Sequence, residues 1–285
     1  MSQNITWEEA VLWLRAQPEQ QELVRACYYD DPLLEAANRF EASEEWQAVR
    51  KILPRKTGNA LDLGAGRGIS SYALAKAGWQ VTALEPDPSP IVGREAIQML
   101  AEQSNLPFHP MDGYAEKIPC GDSRFDLVYG RQVMHHAQDL QTMCNEIVRV
   151  LKPGGIFIAT REHVISKKDD LPIFLKNHPL HHLYGGENAY LLKEYLDALT
   201  KADLQIKQVL GPMATAINYF PATLQDWQNS IQSPVAQRIG FRITHILLSD
   251  MLPWSYFINR YLANRADNKT QFPGRLYSFV AWKPE

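Results

Sequence analysis

Residues 60–68 read ALDLGAGRG. An apolar run carrying one acid, Asp62, gives way to glycines at 64, 66 and 68. A strand that enters a glycine loop and then a helix lets backbone approach a ligand closely. The helix start adds N–H groups with no partner inside the helix. Downstream, ISSYALAKAG reads as that helix, stopped by Gly78, and WQVTALE as a second strand ending on Glu85. In an open α/β sheet ligands bind beyond the carboxyl ends of the strands, where an acid such as Glu85 can accept both hydroxyls of a ribose. An adenosine-containing ligand is expected.

The loop discriminates between such ligands. The dinucleotide fingerprint is G-x-G-x-x-G. Here the spacing is G-x-G-x-G, and Ile69 stands where the third glycine belongs. An acid just before the loop does nothing for a pyrophosphate, but it suits a cationic amino group. The combination favours S-adenosylmethionine over NAD.

Outward from the loop the strand–helix rhythm continues. PIVGREAIQMLAEQ reads as a helix, LPFHPM as a strand, and RFDLVYG as a strand after the CGDS turn. LQTMCNEIVRVL is a helix ended by KPGG, since Pro153 cannot continue it. IFIAT is the next strand. This alternation implies a parallel sheet with helices on both faces. NAYLLKEYLDALTKADL then reads as a helix, with QIKQVLG and RLYSFVAWKP as late strands forming an antiparallel edge. Residues 7–53 read as helices, with Ala10, Val11 and Leu14 on one side of the first and Ser43 as a cap for another. The expected fold class is α/β. It is a Rossmann-like, seven-stranded, mostly parallel sheet with an antiparallel last strand, a helical N-terminal extension and a helical cap insertion. The expected divisions are 1–56 as N-terminal cap, 57–211 as ligand-binding core, 212–274 as cap insertion and 275–285 as final core strand.

Composition narrows the function. The 285 residues are 45% hydrophobic and 21% charged, enough for a core, and the formal net charge of −3 gives no reason to expect nucleic acid. The cysteines, Cys27, Cys120 and Cys144, form no CxxC pair and suit a reduced, cytoplasmic setting. The N-terminus carries Glu8 and Glu9 and does not read as a signal peptide. No apolar run reaches the length of a membrane span.

Taken together, the motifs resemble the class I S-adenosylmethionine-dependent methyltransferases, in the small-molecule branch with a type 11-like domain. LDLGAGRG resembles the family's first motif and ALEPD its second-strand acidic end. AEKIPCGDSRFDLVYGRQVMHH resembles the region around the fourth strand, and EIVRVLKPGGIFIAT the helix, turn and fifth strand. The likeness covers about residues 57–162. It implies that Asp62 orients the methionine amino group, that Gly64, Ala65, Gly66 and Gly68 wall the methionine and ribose, and that Glu85 binds the ribose with Pro86 near the adenine. It places Ala115 and Glu116 at the adenine edge, and Gly130, Arg131 and Gln132 at the methionine end. One departure stands out: Tyr114 occupies the usual acid position, and Asp112 lies two residues earlier.

Methyl transfer from a sulfonium needs nucleophile, methyl and sulfur in line, so positioning supplies much of the rate. An oxygen acceptor also gains from a base near neutral pKa. His163, just past the fifth strand, is the first candidate, followed by His136, with His135 shaping the acceptor site. His178, His181 and His182 have metal-like H-x-x-H-H spacing but no matching acids, so a polar acceptor loop without metal is expected. His109 and His245 read as packing or surface residues. Tyr28, Tyr29, Arg39 and Phe40 from the N-terminal stretch, and Tyr219, Phe220, Trp254, Tyr256 and Phe257 from the insertion, are candidates to line the acceptor site; the aromatics read first as helix packing, and as pocket walls they would imply an apolar or aromatic acceptor. Arg238, Arg242 and Arg260 would suit an acidic acceptor. The expected activity is transfer of a methyl group from S-adenosyl-L-methionine to a small molecule, at oxygen first and at nitrogen or carbon next, releasing S-adenosyl-L-homocysteine. No N/D-P-P-Y signature follows the fourth strand, where GRQVMHH stands. The alternatives are a non-catalytic nucleoside-binding protein of the same fold and an NAD-linked oxidoreductase. The acceptor's identity and the oligomeric state are not readable from these residues.

Overall fold

The computed structural model describes residues 5–219, 221 and 273–285. Eight strands make one sheet: β1 Asn59–Leu63, β2 Gln80–Leu84, β3 Phe108–Met111, β4 Phe125–Arg131, β5 Leu151–Ile165, β6 Tyr190–Leu191, β7 Gln205–Leu210 and β8 Arg275–Trp282. The order is β3-β2-β1-β4-β5-β8-β7, with the two-residue β6 added beside β5. β1 to β5 pair in parallel, and β8 runs antiparallel to both its neighbours. This is the expected Rossmann-like arrangement, with one strand among the described residues, β6, beyond the seven expected. Strand order reverses between β1 and β4, so the crevice beyond their carboxyl ends is the place for a ligand.

The alternation along each strand sorts its residues between two layers. Ala60, Val81, Ala83, Leu127 and Ile158 face α3 (Leu33–Glu41), α4 (Glu44–Ile52), α5 (Ile69–Lys76) and α6 (Arg94–Ser104). Leu61, Leu63, Val128, Phe157 and Phe279 face α7 (Leu140–Val150) and α10 (Leu192–Lys201). The segment expected as an N-terminal cap thus shares a core with the sheet. Phe40, Trp46 and Val49 are fully buried there. Ser43 caps α4 by accepting the Trp46 N–H at 3.1 Å. Before it, α1 (Trp7–Arg15) buries Ala10, Val11 and Leu14, and α2 (Gln21–Ala26) buries Val24. Leu14 and Val24 pack with Leu180, just ahead of α9 (His181–Tyr184), which follows α8 (Leu171–Asn177).

Several boundaries differ from the sequence expectation: β5 begins at Leu151, ahead of KPGG, and the segment expected as one helix from Asn188 is β6 followed by α10. α6 starts at Arg94, because the Ser89 hydroxyl accepts the N–H groups of Ile91 and Val92 and holds 89–92 as a turn. β5 continues to Ile165, five residues beyond IFIAT, through a bulge between Ala159 and Glu162. At the bulge Arg161 has φ of +63°, and its N–H donates to the Ser278 hydroxyl. Of the expected insertion, residues 212–219, 221 and 273–274 are described, including α11 (Ala216–Tyr219). Phe220, Arg238, Arg242, His245, Trp254, Tyr256, Phe257 and Arg260 lie outside the described residues. Among those described, no helix is long and apolar enough to cross a membrane.

The N-terminal layer is locked to the strand ends by a buried acid. Glu45 is 0% exposed, and it receives Arg131 Nε at 2.6 Å and Nη2 at 3.0 Å. Arg161 Nη1 stands 3.8 Å from the same carboxylate. Removing one partner of a buried ion pair leaves an uncompensated charge. Glu45→Ala should therefore cost about 3–5 kcal/mol of unfolding free energy, read from urea denaturation. A change below about 1 kcal/mol, the range of exposed pairs, would show that the pair is not an anchor.

Candidate active site

The loop after β1 turns on left-handed backbone. Gly64, Gly66 and Gly68 have φ of +62°, +54° and +85°. At Gly64 a Cβ would lie 2.4 Å from Val133 Cγ2, so the loop and the segment after β4 touch there without a side chain between them. At Gly66 a Cβ would meet nothing closer than 4.0 Å, which leaves open space against bare backbone. The Gly66 N–H donates to Glu85 Oε2 at 2.8 Å, and the Asp87 N–H to Oε1 at 3.0 Å. Two backbone donors thus aim the Glu85 carboxyl, and each oxygen keeps a lone pair. Asp62 accepts the Ser71 hydroxyl at 2.6 Å. Burial pushes each of these two carboxyls up to about 7, against the hydrogen bonds that favour the charged form.

Arg67, between Gly66 and Gly68, reaches the opposite way. Its buried guanidinium donates to the carbonyls of Tyr28 and Asp30 and to Asp31 Oδ1 at 2.6 Å. The loop is thereby stapled to the chain between α2 and α3.

Several expected site residues have other work. Arg131 was expected at the methionine end of the ligand. Instead its guanidinium grips Glu45 and lies over the rings of Tyr28 and Phe40. Gln132 follows it with φ of +56°, donating its N–H to the Thr160 carbonyl, while Gly130 lies under Val133. Tyr28 is buried in the core, edge-on to Phe40. Arg39 pairs with Asp30, and Tyr29 packs against Trp7. Burial holds the Tyr29 phenol well above its ordinary value. His182 is exposed and edge-on to Trp13. Tyr219 is half-buried in α11, its phenol pushed up to about 12 by burial. Near the expected adenine edge, Ala115 packs on the core, Glu116 accepts the Gln138 N–H at 2.9 Å, and Tyr114 is 68% exposed. Asp112 pairs with Arg94, whose guanidinium also holds the carbonyls of Glu85 and Pro86.

The histidines form a second centre, at the end of β5. Glu162 is fully buried, and it accepts the N–H groups of Val133 and His135, each at 3.1 Å, and the His135 Nδ1–H at 2.7 Å. Burial disfavours the His135 cation, but Glu162 and Glu187 overcome this and lift it to about 9. His163 donates Nδ1–H to the Gly274 carbonyl at 2.9 Å. Burial, and then the His135 charge, lower it to about 3. His136 is exposed and donates Nδ1–H to the Gly186 carbonyl at 3.0 Å. His178 lies 3.6 Å from Glu187. Glu45, Arg161, Glu162 and Glu187 were not readable as site residues in the sequence; an acid beside His163 in REHV, and another after GG in GGEN, were the only traces.

Comparison with known proteins bears on this geometry. A family model described as a methyltransferase domain matches residues 61–159, the span from β1 through the first half of β5. Residues 61–159 thus match a methyltransferase domain, carried here on a Rossmann-like sheet. A ubiquinone biosynthesis O-methyltransferase from Methylobacterium nodulans is 32% identical over 110 residues, which are 39% of this chain and 43% of that protein. The chain thus matches less than half the length of that relative. Among solved structures, a putative sarcosine dimethylglycine methyltransferase from Galdieria sulphuraria superposes with a TM-score of 0.55 at 17% identity, covering 90% of each chain. The 4+2 cyclase SpnF superposes with the same TM-score at 21% identity, covering 87% of this chain and 81% of its own. At such identities the structural likeness is one of fold.

The loop geometry separates two of its glycines. Gly64→Ala forces a Cβ onto Val133 and adds left-handed strain, about 1–3 kcal/mol, with repacking on top. Gly66→Ala meets only the strain. In thermal unfolding Gly64→Ala should lose more stability than Gly66→Ala; the reverse order would remove Val133 as the constraint on the loop.

Proposed function

We propose that the chain transfers a methyl group from S-adenosyl-L-methionine to a small-molecule acceptor, at oxygen first. One observation carries this. Asp62 and Glu85 are buried carboxyls on either side of an open glycine loop, and among the described residues no lysine or arginine hydrogen-bonds either group. Such groups suit a ligand that brings an ammonium and a ribose diol. S-adenosyl-L-methionine supplies both, together with an electrophilic methyl on a sulfonium. Asp62 faces the amino cation, Glu85 accepts the diol, and the Gly66 backbone lies against the ligand. Gly64, Ala65 and Gly68 shape the wall, and Gly130 and Gln132 close the methionine end. A dinucleotide is disfavoured, since the one cation within the glycine motif, Arg67, is spent on the N-terminal layer.

The choice of oxygen rests on the matched relative, which is named as an O-methyltransferase. The chain's part is to hold acceptor and methyl in line and dry. His163 was the expected base. A buried imidazole lowered to about 3 is far from the near-neutral value that suits proton abstraction. Positioning, rather than that histidine acting alone as base, carries the reading.

Glu85→Ala removes the proposed acceptor of the diol. Hydrogen bonds to a charged group contribute about 1.5–3 kcal/mol, so affinity for S-adenosyl-L-homocysteine should fall at least about tenfold. Calorimetry measures it, with NADH as control. Unchanged affinity, or tight NADH binding, would sink the ribose assignment. Binding without turnover of any acceptor would point to a nucleoside-binding protein instead.

The raised carboxyls also predict a pH effect. Between about pH 4 and 7 the ligand-free native protein holds protons at Asp62 and Glu85 that the unfolded chain has lost. Both carboxyls must ionise to meet the ligand's ammonium and diol. Binding should therefore release protons, and affinity should rise from about pH 5.5 to 7.5 and then level off. Calorimetry in buffers of different ionisation heat counts the protons. Glu85→Gln should remove part of the release. Proton uptake in this range would contradict the assignment.

A further inference from the structure

We infer that His135, His163 and Glu187 form a binding site for one divalent transition-metal ion of zinc type, beside the glycine loop. Their donor atoms lie within 4.8 Å of one another. Two imidazoles and a carboxylate are a ligand set that holds zinc and leaves a position open. Donors around a tetrahedral zinc sit about 3.3 Å apart, and the His135 Nε2 to Glu187 Oε2 separation is already 3.6 Å.

Each ligand is oriented by a partner on its far side. His135 gives Nδ1–H to the buried carboxylate of Glu162, which leaves Nε2 for the centre. His163 gives Nδ1–H to the Gly274 carbonyl, which likewise leaves Nε2. Metal-binding histidines are held in this way, by a carboxylate or a backbone carbonyl on the other ring nitrogen. Glu187 is arranged similarly. Its Oε1 accepts the Tyr184 hydroxyl and lies 3.6 Å from His178 Nε2. Its Oε2 is buried without a hydrogen-bond partner, on a side chain only 6% exposed. A buried carboxylate oxygen whose one polar contact is the long one to His135 Nε2 is costly unless a proton or an ion is held between them.

The site is joined to the loop through Glu162 and Val133. Glu162, which fixes His135, also holds the Val133 N–H, and Val133 packs on Gly64 and Gly130. Resting on the proposed function, an ion here would lie near the acceptor end of the site and could polarise an acceptor oxygen. Metal binding itself does not depend on that reading.

The test uses full-length protein without a polyhistidine tag, stripped with chelator. Zinc(II) is titrated by calorimetry and cobalt(II) by visible absorption. One equivalent of zinc and a cobalt d–d band are expected, with magnesium failing to compete because two donors are imidazoles. Glu187→Gln and His163→Ala should each abolish the cobalt band. Glu162→Gln should weaken binding by about 10–100-fold, and His109→Ala should leave one equivalent bound. Circular dichroism reports whether each variant is folded. No zinc uptake by the unaltered protein would overturn the proposal and leave a buried imidazolium between two carboxylates. One equivalent that survives both ligand substitutions would place the ion elsewhere and overturn it equally. S-adenosyl-L-homocysteine binding, measured on the same samples without metal, keeps failure of this site distinct from failure of the methyl-donor site.

Discussion

One buried carboxylate, Glu45, organises the ligand end of this sheet. β4 ends in Arg131, Arg161 stands at the bulge within the neighbouring β5, and both turn toward it. Two guanidiniums on neighbouring strands would repel each other in a poorly solvated place. A single acid from α4 resolves that and fixes the N-terminal layer over the strand ends. Arg67 adds a second tie, from the glycine loop itself to the chain between α2 and α3. The layer over the site is therefore joined to the site's own backbone, and any ligand meets a cradle whose walls are already set.

The same economy runs through Val133. It fills the space that glycines at 64 and 130 leave free, and its N–H is held by Glu162. Glu162 in turn holds His135 Nδ1 at 2.7 Å and so orients the ring. It is delivered by the bulge in β5, which adds a residue between Ala159 and Glu162 and so changes which side chains face the crevice. Bulges commonly re-aim side chains near functional sites. Without it, the strict two-residue alternation of β5 would carry Arg161 and Glu162 to different places.

Much of the architecture was legible from periodicity. Strands alternate every second residue and helices every third or fourth, so ALDLGAGRG, WQVTALE, RFDLVYG and RLYSFVAWKP each announced their element. Ser43 announced a cap, and Glu85 a strand-end acid. These are local properties: hydrogen bonding, sterics and hydrophobic spacing act within a few residues. The end of β5 and the start of α6 were less legible. A side chain on β8 stabilises the first, and a serine turn competes with the helix at the second.

The sequence by itself determined the sheet, the glycine loop and the acids at Asp62 and Glu85, because each depends on neighbours along the chain. Tertiary structure alone decided the partners. It gave Arg131 to Glu45, 86 residues away, took Tyr28 into the core, and lowered His163 by burying it beside His135. It also brought Glu187 to His135 and His163 from beyond α9. Whether a charged side chain faces a ligand or a counter-charge depends on what folding places within about 4 Å of it, and no spacing rule along one segment contains that distance.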